Sequence, residues 1–149
     1  MKPQKQVCSL ELSKKLKELG VKQESLWYWG LFVRNDGQPN RWELSDRNIL
    51  NIQNISILKE KCSAFTVAEL GEVLPESILT IRPYQKNEWD YKPKDKWQCS
   101  ICGKNGYCCM SDVFIDTNLT TEMTNTEADA RAKMLIYLIE NKLVDVKKL

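Results

Sequence analysis

The earliest apolar rhythm in the chain belongs to Leu12, Leu16 and Leu19, which recur at i, i+4 and i+7 with Lys14, Lys15, Lys17 and Glu18 among them. That spacing puts three leucines on one face of a helix and the charges on the solvent side. Ser9 stands at the N-cap position, and Gly20 sits where a left-handed residue favours helix termination. The rhythm then changes. Leu26, Trp27, Tyr28, Trp29, Leu31, Phe32 and Val33 form a run rich in β-formers, interrupted only by Gly30. Turn-dense residues 34–40 follow, and Arg41-Trp42-Glu43-Leu44 reads as the return strand of a hairpin with a long loop. Both alternating faces of the first strand are apolar, which predicts either cover on both sides or a contact surface on one.

Between residues 46 and 63 the apolar positions Ile49, Leu50, Ile52, Ile55, Ile57 and Leu58 keep no single period. This segment is read as irregular, with short strand or helix pieces left open. The signal then sharpens. Thr66 followed by Glu69 is a capping box, and Phe65 is placed to staple onto Leu70. The helix so started carries Val67, Leu70, Val73 and Leu74, and Pro75 stops it. Three strands are expected next. Residues 78–84 form one, with Pro83 suggesting an edge position. The lysine-rich stretch 85–96 is a loop. Residues 97–101 and 107–114 make a hairpin around Gly103-Lys104-Asn105-Gly106. A threonine-rich connector leads to a last helix over 127–141, capped by Thr126 with Asp129 three positions on. Its small residues Ala128 and Ala132 lead into Leu135, Leu138, Ile139 and Leu143.

Consecutive strands joined by short turns imply antiparallel pairing. The fold class is therefore α+β, a mainly antiparallel sheet with about three helices packed on it, in the order α-β-β-α-β-β-β-α. The length fits one domain over 1–149. Its parts are a helix plus hairpin (9–45), the irregular segment (46–63), and helix, three strands and helix (64–149).

Histidine is absent from all 149 residues. That removes the Ser-His-Asp triad, the Cys-His nucleophile pair and the Cys/His zinc site. No Gly-rich phosphate loop, nucleophile motif or carboxylate pair is apparent, so no catalytic residue and no cofactor is assigned. Twenty-two basic side chains against 20 acidic ones give a net charge of +2, which supplies no electrostatic reason for nucleic acid or an anionic membrane as main partner. Neither a signal peptide nor a bilayer-length apolar run is recognised, and a cytosolic protein with reduced cysteines is expected.

Three constellations remain. Cys99, Cys102, Cys108 and Cys109 are the candidate metal ligands. A C-x-x-C knuckle supplies two ligands well, but adjacent strand residues such as Cys108 and Cys109 point to opposite faces, and only five residues separate the pairs. Small buried apolar side chains are the simpler reading, as also for Cys8 and Cys62. Residues 10–29 follow the order of a helix-turn-helix, yet Lys22 and Gln23 are its only groove-type contacts before the three aromatics Trp27, Tyr28 and Trp29. Finally, Trp27, Tyr28, Trp29 and Trp42, with Phe32 nearby, form an aromatic set suited to anchoring a partner.

The segments CSLELSKKLKELGVKQES (8–25), SAFTVAELGEVLP (63–75) and TEADARAKMLIYLIE (126–140) span the chain. In them it resembles a family of small uncharacterised proteins encoded by bacteriophages, prophages and related mobile elements. The resemblance implies a bacterial cytosolic setting and carries no activity. The expectation is a non-enzymatic protein-interaction module, with Trp27, Tyr28, Trp29 and Trp42 as its contact surface toward an unknown protein or a second copy. The alternative is a nucleic-acid accessory protein using the helix-turn-helix-like segment, and the third reading is a cysteine-ligated zinc protein.

Overall fold

The structure, a computed structural model, describes residues 2–33, 40–48, 58–75, 78–81, 84–87, 90–93, 97–101 and 122–146. It is an α+β protein. A single 3-10 turn (Pro3–Lys5) precedes helix α1 (Leu10–Glu18), and strands β1 (Trp27–Phe32), β2 (Arg41–Asp46) and β3 (Leu58–Ser63) follow. Helix α2 (Val67–Val73), strands β4 (Ile78–Ile81), β5 (Tyr84–Asn87), β6 (Asp90–Pro93) and β7 (Gln98–Ile101), and helix α3 (Glu127–Glu140) complete the order.

Each helix boundary has a local cause. Helix α1 ends in a Schellman motif: Val21 N donates to Leu16 O (3.1 Å), Gly20 N donates to Lys17 O (3.0 Å), and Gly20 takes φ +85°. Val21 and Leu16 are both buried, supplying the apolar contact that accompanies this motif. Ser9 is the N-cap of α1, but its side chain makes no cap bond. Helix α2 starts with the full capping box, in which Thr66 Oγ1 accepts from Glu69 N (3.2 Å) and Thr66 N donates to Glu69 Oε2 (2.7 Å). Helix α3 starts at Thr126, whose side chain accepts from Asp129 N (3.1 Å).

Sheet organisation corrects the expected order. Strand β1 is central in a three-stranded antiparallel sheet β2-β1-β3, with Trp29 opposite Leu44 on one side and Cys62 on the other. β3 emerges from the segment read as irregular. Its sequence Leu58-Lys59-Glu60-Lys61-Cys62-Ser63 lacks apolar alternation because it lies at a sheet edge, where charges are favoured and pairing to β1 outweighs intrinsic preference. Residues 85–96 are not simply a loop either. β5 pairs with β6 from Tyr84↔Pro93 to Asn87↔Asp90, a backbone pairing that polar residues allow without any apolar period. The strand expected over 78–84 divides into β4 and the start of β5. β7 pairs with β4, Thr80 opposite Cys99; the proposed partner 107–114 and the Asn105-Gly106 turn lie outside the described residues.

The core forms around α3. Ala128, Ala130, Ala132, Met134, Leu135 and Leu138 are buried and cluster with Leu16 of α1, Leu70 of α2 and Cys99 of β7. Among the described residues no helix is long and apolar enough to cross a membrane.

Helix α3 also closes with a Schellman pair, Leu143 N to Leu138 O (2.8 Å) and Lys142 N to Ile139 O (3.0 Å). Here the left-handed position is held by Lys142 at φ 58° and not by glycine. A Cβ in that conformation costs about 1–2 kcal/mol, partly offset by the greater backbone freedom glycine gives the unfolded chain. Lys142→Gly is therefore expected to raise stability by about 0.5–1 kcal/mol, read as a higher urea midpoint at unchanged slope.

Candidate functional site

The aromatic strand is built into the fold more than it is displayed. The faces of β1 alternate, and Trp29 points to the side covered by α1. Its Nε1 donates to the backbone oxygen of Cys8 at 3.0 Å. Trp42, opposite Leu31 on the same face of the sheet, has Lys14 Nζ of α1 at 4.3 Å from its ring centroid, within cation–π range. Tyr28 points the other way and is 7% exposed. Its hydroxyl lies 3.3 Å from both Ser25 N, as acceptor, and Gln23 O, as donor. On that same face Gly30 lets Phe32 and Leu58 close over the strand: a Cβ there would lie 2.8 Å from Leu58 Cδ1 and 3.0 Å from the Phe32 ring. Of the four aromatics expected to form one contact surface, Tyr28 is core, Trp29 is half-buried and held by the Cys8 carbonyl ahead of α1, Trp42 is half-buried under Lys14 of α1, and Trp27 is half-buried at the strand's start.

The exposed apolar group in this neighbourhood is one the sequence reading passed over. Leu26, immediately before β1, is 63% exposed although flanked by buried Ser25 and half-buried Trp27. Its backbone amide is held by a carboxylate. Glu69, which closes the capping box of α2, also accepts from Leu26 N through Oε1 (2.9 Å) and from Ser25 Oγ through Oε2 (2.9 Å). Ser25 Oγ in turn accepts from Trp27 N (3.2 Å). One acid thus fixes the start of α2 and the backbone leading into β1.

Beside this junction lies a groove of about 170 Å³ between the 21–24 segment, α2 and α3. Its apolar walls are Val21, Phe65, Leu70, Val73 and Leu135, and Glu24, Glu69, Glu72 and Lys22 line the remainder.

The described cysteines are buried and reduced. Cys8 Sγ lies 3.1 Å from Ser13 Oγ, and burial pushes the thiol up from its ordinary 9.0 to about 12 against the lowering effect of that hydrogen bond. Burial also raises the Cys62 thiol, opposed by Lys17. Thiols held protonated are poor nucleophiles and poor metal ligands. Cys99 is fully buried within the core cluster, while Cys102, Cys108 and Cys109 lie outside the described residues. Among the described residues no three acidic or cysteine side chains are grouped to hold a metal ion.

The helix-turn-helix arrangement is not formed. After Gly20 the chain runs through non-helical residues 21–26 into β1, so no second helix stands where a recognition helix is needed. The lysines of α1 are also engaged: Lys15 pairs with Glu140 (3.0 Å), Lys17 with Glu60 (3.7 Å), and Lys14 lies on Trp42. Comparison with protein-family models, with curated proteins and with solved structures gave no match.

Two outcomes follow from this geometry. Glu69→Ala strips the partner from Leu26 N, Thr66 N and Ser25 Oγ together, and is expected to cost about 2–3 kcal/mol in urea unfolding. For Cys8, a folded-state pKa above the unfolded one means that its stabilising contribution is complete below pH 9.0 and is lost as pH rises toward about 12. The urea midpoint should fall across that window, and Cys8→Ala should flatten the fall.

Proposed function

We propose that this chain is a non-enzymatic protein-interaction module whose contact surface is Leu26, Trp27 and the groove beside them. The observation that carries the reading is the exposed Leu26, tethered at its amide by Glu69. An apolar side chain presented on a fixed backbone costs little ordering when a partner covers it, which is how anchor residues work. The held-down thiols of Cys8 and Cys62, together with the lack of histidine, support a binding role over nucleophilic or proton-shuttling chemistry. The mobile-element origin and cytosolic setting rest on the resemblance of segments 8–25, 63–75 and 126–140. Relative to the aromatic surface read from the sequence, the contact moves one residue back along the chain. Trp27 stays in it, and Tyr28, Trp29 and Trp42 become its support.

Leu26→Asp tests this reading. The substitution touches an exposed position, so stability should stay within about 0.5 kcal/mol. Cross-linking followed by pull-down from a bacterial host, alongside sedimentation for self-association, should show a specific partner with the parent chain and none with the variant. Equal association by both would remove the surface from consideration, and binding of duplex DNA that weakens steeply with salt would favour a nucleic-acid role.

A further inference from the structure

We propose that the groove between α2, α3 and the 21–24 segment accepts an arginine side chain from a basic segment of the partner protein. The inference rests on the surface assigned above and specifies what that surface takes. Its first support is shape. At about 170 Å³ the space is below the roughly 300 Å³ at which small-molecule pockets begin, and suits one long side chain better than a cofactor.

Its second support is the distribution of polarity. Leu70, Val73 and Leu135 offer an apolar wall for an aliphatic stem, and the carboxylates of Glu24, Glu69 and Glu72 line the same groove; of these, Glu72 is the one that neither a lysine nor a backbone amide already holds among the described residues. Arginine and lysine are the side chains that combine an apolar stem with a cationic tip. Arginine is favoured because its planar fork is weakly hydrated and meets carboxylates through two parallel hydrogen bonds.

Charge is the third support. Three carboxylates, Glu24, Glu69 and Glu72, share the groove with a single ammonium, Lys22. Lys22 is already paired with Glu24 at 3.1 Å. The donors to Glu69 are two backbone amides and a hydroxyl, all neutral, and Glu72 makes no ion pair among the described residues. The groove therefore carries an excess of negative charge on a chain whose net charge is +2, so its sign does not come from overall composition. Complementary potential of this kind selects a cationic partner and speeds encounter.

The experiment is a methyl and amide NMR titration of the full chain with acetylated, amidated tetra-arginine, with tetra-glutamate as control. Saturable shifts at Leu70, Val73 and Leu135 with tetra-arginine alone are expected. The affinity should fall at least about tenfold in the double variant Glu24→Gln/Glu72→Gln, checked to keep the parent urea midpoint. Absence of shifts, shifts located elsewhere, or equal affinity in the double variant would overturn the proposal. Its failure is separable from that of the surface itself. If Leu26→Asp abolishes partner capture while tetra-arginine leaves the groove unmoved, the surface stands and the arginine assignment falls. The converse pattern keeps the arginine site and removes Leu26 from the interface.

Discussion

Burial of helix α3 is the constraint on which the other elements depend. Alanines at 128, 130 and 132 remove side-chain bulk over its first half, so neighbouring elements approach closely, and Met134, Leu135 and Leu138 then fill the space beyond. Helices α1 and α2 and strands β4 and β7 all contact it. Fully burying one leucine contributes about 1.5–3 kcal/mol, so Leu135 and Leu138 together outweigh any single surface pair in the molecule. The same packing makes the groove, because Leu135 is one of its walls. Arg131 adds a polar counterpart. Its guanidinium crosses α2 over Gly71, donates to Val67 O (3.3 Å) and pairs with Glu127 (2.8 Å), fixing α2 against α3 where a Cβ at 71 would make the guanidinium shift.

A second theme is the use of acids at the third helical position. Glu69 and Asp129 both stand three residues after a threonine cap, and each reaches beyond its own helix. Glu69 closes its capping box and then orders Ser25 and Leu26. Asp129 leaves its own cap amide and accepts from Ser9 N at 2.7 Å, at the start of α1. Carboxylates at helix N-termini are favoured by the helix dipole, and here the residual hydrogen-bonding capacity is spent on distant backbone. Local capping and tertiary order are thus carried by the same atoms.

This coupling explains what was legible in the sequence. Gly20, the Thr66–Glu69 pair, Pro75 and the Thr126–Asp129 pair act within one turn of chain, so the three helices were readable nearly to their ends. β3 was not, because Lys59, Glu60 and Lys61 are strand residues only by virtue of β1 beside them. The β5–β6 pairing was missed for the same reason. The aromatic strand was correctly placed as a strand, but alternation alone could not tell whether its two apolar faces were covered. Cys8 and the α1 residue Lys14 engage one, and Phe32 with Leu58 closes over Gly30 on the other. Nor did the capping box announce that its glutamate would also bind the Ser25 hydroxyl and the Leu26 amide, since Ser25 and Leu26 lie more than 40 residues away in sequence.

The bond between Ser9 and Asp129 spans 120 positions, and this has a consequence for birth on the ribosome. At roughly 5–20 residues per second, the first helix leaves the exit tunnel several seconds before the acid that completes its terminus has been translated. Throughout that interval Leu16, destined for a fully buried place in the core cluster, lacks the α3 part of its surroundings. The nascent polypeptide must then wait with part of its oily stripe uncovered, and the last helix to be polymerised acts as the latch.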